Sequence, residues 1–191
     1  MVHANTVSFE QFDSYQKQTY RNRTYIYCAN GRLSLNIPVQ YSQKNRQFYQ
    51  DVRIAHDGKW QLNHWKSLQS AYKTSPFFEF YEDALEPVFH KNCQYLMDYN
   101  FECLQALSLC LQWDFDFDRT KVFEKETSKV DLRFLINARK EELADLETYN
   151  QVFSPKHGFI NNLSILDLLC NEGPNTLNYL QLQDVQKLLS Y

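Results

Sequence analysis

Two alternating runs meet at Asn30-Gly31, and that junction constrains the fold more than any other stretch of the chain. Residues 24–30 alternate apolar and polar. In residues 32–39, Leu33, Leu35, Ile37 and Val39 share one face while Arg32, Ser34 and Asn36 take the other. Asn-Gly between two such runs predicts a β-hairpin, because both residues accept the positive φ that a tight turn needs. Pro38, late in the second run, predicts a strand end or a sheet edge. Just upstream lies a dense basic and amide cluster, Lys17, Arg21, Asn22 and Arg23. Fixed polar groups feeding a stiff hairpin predict a binding surface.

The remaining periodicity alternates between strand and helix. Residues 7–12, 51–55 and 113–117 predict short strands, with 151–153 a last one, and residues 41–50 read as a loop. Residues 60–73 switch to helical spacing, with Leu62, Trp65, Leu68, Ala71 and Tyr72 as the apolar stripe. Ser75-Pro76 breaks it. A second helical stretch follows over 77–90, interrupted near Pro87. The longest helix is expected over 92–112, burying Leu96, Tyr99, Cys103, Leu107 and Cys110. Residues 131–147 and 176–190 predict helices. So do 164–171, where Ser164 serves as N-cap and Asp167 three residues on makes a near capping box. Strands interleaved with helices predict an α/β fold, a mixed sheet with a β-hairpin and packed helices, with α+β as the alternative. At 191 residues the chain is expected to form a single domain, residues 1–191, burying roughly 70% of its unfolded surface.

Composition removes several function classes. A net charge of −3 supplies no field to draw in nucleic acid or an anionic membrane surface. With 4 Gly and 5 Pro, and neither GxGxxG nor GxxxxGK[ST], dinucleotide-fingerprint and P-loop chemistry are not expected. No apolar run reaches the ~18 residues of a membrane span. The N-terminus lacks a basic segment followed by an apolar one, so a cytoplasmic protein is expected. The 5 cysteines are widely spaced without CxxC and read as buried thiols, and the histidines show no HExxH, so no metal is expected. No cofactor is indicated.

Several segments together resemble the bacterial WbqC-like family: YQKQTYRNRTYI, NGRLSLNIPV, DVRIAHDGKWQLNHWKSLQSAYKTSPFFEFYEDALEPVF and NLSILDLLCNEGP. The resemblance covers nearly the whole chain and is densest over residues 15–89. Members of that family usually open with a strand and an aromatic-proline loop, and this chain begins just after that point, so such a segment is expected upstream of it. The resemblance implies a role in surface-polysaccharide (O-antigen) biosynthesis, with transfer of an acyl or aminoacyl group to a nucleotide-linked amino sugar as the reaction. The alternative is a non-catalytic binding or partner protein of the same pathway. A nucleotide sugar or an acyl donor is the implied small-molecule partner.

The resemblance brings no catalytic residue with it, so the site candidates rest on residue chemistry. Lys17, Arg21 and Arg23 would bind phosphate, Arg by its bidentate fork and Lys as a point charge, with Arg21 and Arg23 on one face of an extended strand; Asn22, on the other face, would orient a sugar. The competing reading has these cations in ion pairs with Glu10, Asp13 or Asp51. His64 is the candidate acid–base residue, with Lys66 beside it on the same helix; the alternative is a half-buried histidine bonded to backbone. Tyr81, among the aromatics Tyr72, Phe77, Phe78 and Phe80, could stack on a sugar or belong to the core. Asp114, Asp116 and Asp118 could hold magnesium but more simply form the wet face of a strand.

Overall fold

A computed structural model describes residues 1–40, 47–139 and 146–186. The chain is of mixed α/β class. Among the described residues its strands pair as three two-stranded sheets, one parallel and two antiparallel.

Strand β1 (Val7–Phe9) is shorter than residues 7–12, because Phe12 N donates to the Glu10 side chain at 2.7 Å and leaves the ladder direction. β2 (Arg23–Cys28) and β3 (Gly31–Asn36) form the expected hairpin in the register Cys28↔Gly31 to Arg23↔Asn36. Its turn falls one residue earlier than Asn30-Gly31 suggests. Ala29 and Asn30 make the bend and Gly31, at φ +95°, completes it. β4 (Val39–Gln40) pairs with β5 (Arg53–Ile54). Of the expected 41–50 loop, residues 41–46 lie outside the described residues, and Tyr49–Asp51 is one 3₁₀ turn.

The helices follow their predicted periods. α1 (Trp60–Tyr72) buries Trp65, Leu68, Ala71 and Tyr72, whereas Leu62, at the edge of the stripe, is exposed. α2 (Phe78–Leu85) gives way at Pro87 to a 3₁₀ segment, Glu86–His90. α3 (Leu96–Leu111) ends at Gln112, whose φ of +48° turns the chain out. That exit delays β6 to Phe117–Arg119, paired parallel with β1, instead of residues 113–117. Asp114, Asp116 and Asp118 nevertheless alternate outward as the wet face, against half-buried Trp113, Phe115 and Phe117. Phe117 stacks on Phe101 at 5.1 Å and Phe9 meets both rings edge-on, which fastens the parallel pair to α3.

Two expectations fail for local reasons. The helix over 131–147 is a single 3₁₀ turn, Arg133–Ile136, as far as it is described; residues 140–145 lie outside the described residues. Asp131 takes both the Arg133 backbone N–H (3.0 Å) and its guanidinium, and this local bonding competes with helix. Beyond the turn, Tyr20 N donates to Ile136 O and Thr19 bridges Asn137, which holds Asn137 in an extended conformation and ends the turn. Residues 151–153 are not a strand. Gln151 O accepts from both Ser154 N and Ser154 Oγ, starting the short helix α4 (Ser154–His157) with Pro155 in its first turn.

α5 (Ile165–Glu172) starts at Ser164, whose side chain accepts from Leu166 N at 3.3 Å. The capping box does not close. Ser164 N donates to Tyr25 O at 2.7 Å, and the Asp167 side chain turns inward instead. α6 (Thr176–Leu182) covers only the first part of 176–190 and stops at Gln183, whose ψ of 134° is extended; residues 187–191 lie outside the described residues. Between α5 and α6, Gly173 takes φ +54°, and a Cβ there would stand 2.5 Å from the Phe77 ring. Gly173→Ala should therefore lose about 2 kcal/mol of unfolding free energy, from the strained backbone and the clash together. Urea unfolding checks this, and an unchanged midpoint would contradict the packing.

Candidate functional site

The hairpin, α1, α3 and the start of α5 do not meet flush. They line a half-open cavity of about 210 Å³. Its walls are chiefly aliphatic and aromatic: Leu35 and Ile37 from the hairpin, Leu68 from α1, Val88 and Phe89 behind α2, and Cys103, Ala106 and Leu107 from α3. This explains why Cys103 and Leu107, on the predicted core face of α3, are only half-buried. Polar groups enter from few places, namely Arg21, Asn22 and Arg23 before and at the start of β2, His64 on α1, Asn100 on α3 and Ser164 before α5.

Arg21 lies within the protein, its side chain 7% exposed. Nη2 is ion-paired and hydrogen-bonded to Asp13, so the structural-pair reading holds for that amino group. The guanidinium carbon sits 4.8 Å from the centre of the Tyr49 ring, a cation–π contact that fixes its plane. Nη1 is buried with no hydrogen-bond partner among the described residues. Asn100 Nδ2 steadies this corner by donating to Arg21 O (2.8 Å) and to the Tyr49 hydroxyl (2.7 Å).

Asn22 closes the base of the hairpin. Its Nδ2 donates to Ile37 O at 2.9 Å, and its own carbonyl accepts from Ile37 N at 2.9 Å. Arg23 donates from Nε to Asn36 Oδ1 at 2.7 Å on an exposed face. Arg21 and Arg23 therefore do not act as one fork, because only Arg23 belongs to the strand.

His64 packs edge-on against Trp60 at 5.2 Å. Burial pushes its pKa below the usual imidazole value, against a smaller opposing effect from its hydrogen bond to the Asn36 backbone. The ring is thus mainly neutral at pH 7 and able to accept a proton. Cys103, the thiol in the cavity wall, is pushed up to about 12, chiefly by burial, and is inert as a nucleophile at neutral pH.

The other candidates lie apart from this cavity's wall. Lys17 lines a separate polar cleft of about 410 Å³ with Gln16, Gln18, Asn137 and Arg139. Lys66 is exposed on α1, and Tyr81 is half-buried on α2 outside the cavity wall. Sequence reading overlooked Asn100 and Ser164. Asn100 left a signal: it is a polar residue between Leu96 and Cys103 on an otherwise apolar helix face. Among the described residues no helix is long and apolar enough to cross a membrane.

A family model, that of the WbqC-like protein family, matches residues 3–145. An uncharacterized protein of Mycobacterium tuberculosis, Rv1507c, is 26% identical over 198 residues, covering 87% of this chain and 84% of that one. No solved structure matches.

Proposed function

This chain belongs to the WbqC-like protein family, and from that premise we propose a single-domain cytoplasmic protein of surface-polysaccharide biosynthesis that transfers an acyl or aminoacyl group to the amine of a nucleotide-linked amino sugar. The observation that supports this reading is the meeting of a neutral His64 with Arg21 and Arg23 on one apolar cavity. Acyl transfer to an amine needs a base for the amine proton and a donor for the carbonyl oxygen that gains charge. His64 would supply the first. Arg23, at the exposed side of the cavity, would supply the second.

The step runs as follows. The amine nitrogen attacks the acyl carbonyl carbon and a C–N bond forms. His64 takes the amine proton, the bond from carbon to the carrier breaks, and the departing group leaves with the proton from His64. Asn22 holds the Ile37 carbonyl and so keeps the wall in shape, while Arg23 meets the polar part of either substrate at the exposed side. Lys17, Lys66 and Tyr81 take no part in this step.

Incubating the protein with acyl and aminoacyl thioesters and amino-sugar nucleotides, with mass spectrometry of the products, tests the reading. His64→Gln should slow transfer roughly 100-fold. The wild-type rate should fall only when pH drops below about 6.5, because burial holds the His64 pKa under the ordinary value. Saturable binding of both substrates without any product would instead favour a non-catalytic binding protein of the same pathway. A His64→Gln variant as fast as the wild type would remove the base assignment.

A further inference from the structure

The cavity has a size and a charge, and together these select a ligand class. A cavity of about 150 Å³ accepts benzene, so in proportion 210 Å³ holds roughly eight non-hydrogen atoms. That is too small for a nucleoside or a pyrophosphate with its sugar. The charge agrees. Asp13 neutralises Arg21, His64 is mainly neutral, and among the described residues no carboxylate lines the cavity, which leaves Arg23 as the cation on its described wall. A multiply charged phosphate would enter aliphatic surroundings with about one compensating charge, at a desolvation cost such a site cannot offset.

We infer that the cavity receives a short aliphatic acyl group of roughly four to six carbons, its chain lying against Leu68, Val88, Ala106 and Leu107 and its carbonyl or carboxylate oxygen toward Arg23 at the open side. This rests on the transfer reading for the donor's role, and it narrows that donor to an apolar acyl group. The phosphate-bearing part of a carrier stays outside, toward Arg23.

Isothermal titration of the full chain with hexanoate, hexanoyl-coenzyme A and acetate tests it. At least one hexanoyl ligand should bind ten-fold or more tightly than acetate. Tighter binding of hexanoate identifies a free carboxylate as the source, and tighter binding of the thioester a carrier-borne acyl group. Ala106→Leu, which places a larger side chain in the empty space, should weaken hexanoyl binding at least ten-fold. In the wild-type protein, nuclear Overhauser contacts should join the hexanoyl chain to methyl groups of Leu68, Val88 and Leu107, a readout that does not depend on any variant folding. The inference is overturned if both hexanoyl ligands bind no better than acetate, or if those contacts are absent. A protein that transfers an aminoacyl group yet binds no hexanoyl ligand overturns this inference and not the transfer reading. One that binds hexanoate in the cavity and transfers nothing overturns the transfer reading alone.

Discussion

Arg21→Met should lower the unfolding free energy by about 4 kcal/mol, the range found when one member of a buried ion pair is removed and the other is left behind. The carboxylate left behind is that of Asp13, whose side chain is 22% exposed and so only partly rehydrated. The cation–π contact with Tyr49 goes as well. Methionine fills much of the same volume, which keeps the measurement from being dominated by a new cavity. Urea unfolding gives the number. The companion variant, Arg21→Met with Asp13→Leu, should recover more than half of the loss, since a pair replaced by apolar groups leaves no orphan charge. A single-variant loss below about 1 kcal/mol would place Arg21–Asp13 among ordinary surface pairs.

The hairpin and the first three helices were legible because their information is local. Period two on either side of a glycine turn, and period 3.6 between proline breaks, each specify an element without reference to the rest of the chain. The cavity was not legible. Periodicity says which face of α3 turns inward, and it placed Cys103 and Leu107 there correctly. It cannot say whether the interior opposite them is filled. Arg21 shows the same limit. Extended alternation put it beside Arg23, but its partner Asp13 and the ring of Tyr49 arrive from other segments and turn it inward. His64 was legible as a chemical type, and its neutral state was not, because that follows from burial against Trp60 and the bond to Asn36. Asp167 was read as a helix-start residue from its spacing to Ser164. Its real partners are a tyrosine 18 residues upstream and a glutamine 16 upstream, which no local rule reaches.

Asp167 carries the second large effect. Its side chain is fully buried, and Oδ2 accepts from the Tyr149 hydroxyl at 2.6 Å and from Gln151 Nε2 at 3.2 Å. The Tyr72 hydroxyl faces the same carboxylate as a weaker donor, while Oδ1 has no partner of good geometry among the described residues. Tyr72 in turn accepts from Tyr27 N at 3.1 Å. One carboxylate thus ties α5, α1 and β2 together, and these are three of the elements that wall the cavity. Asp167→Ala should cost about 4 kcal/mol, because Tyr149 and Gln151 lose their acceptor where water does not reach. Asp167→Asn, which keeps an acceptor oxygen toward Tyr149, should cost much less at pH 7. The reason lies in the charge. Burial raises the Asp167 pKa, more than its hydrogen bonds lower it, so the native state holds the proton more tightly than the unfolded chain does. Between the unfolded pKa of about 3.9 and the raised native value, the native state binds more protons, and the contribution of this group to stability falls as pH rises. Below that window the group is neutral in both states and the penalty is absent; above it the penalty is constant. Urea midpoints measured from pH 4 to pH 7 should show this decline in the wild type and a shallower one in Asp167→Asn, which has no proton to lose. Parallel pH profiles for the two proteins would mean that Asp167 ionises in the folded state as freely as in water, and the three-element tie would then be a set of ordinary hydrogen bonds.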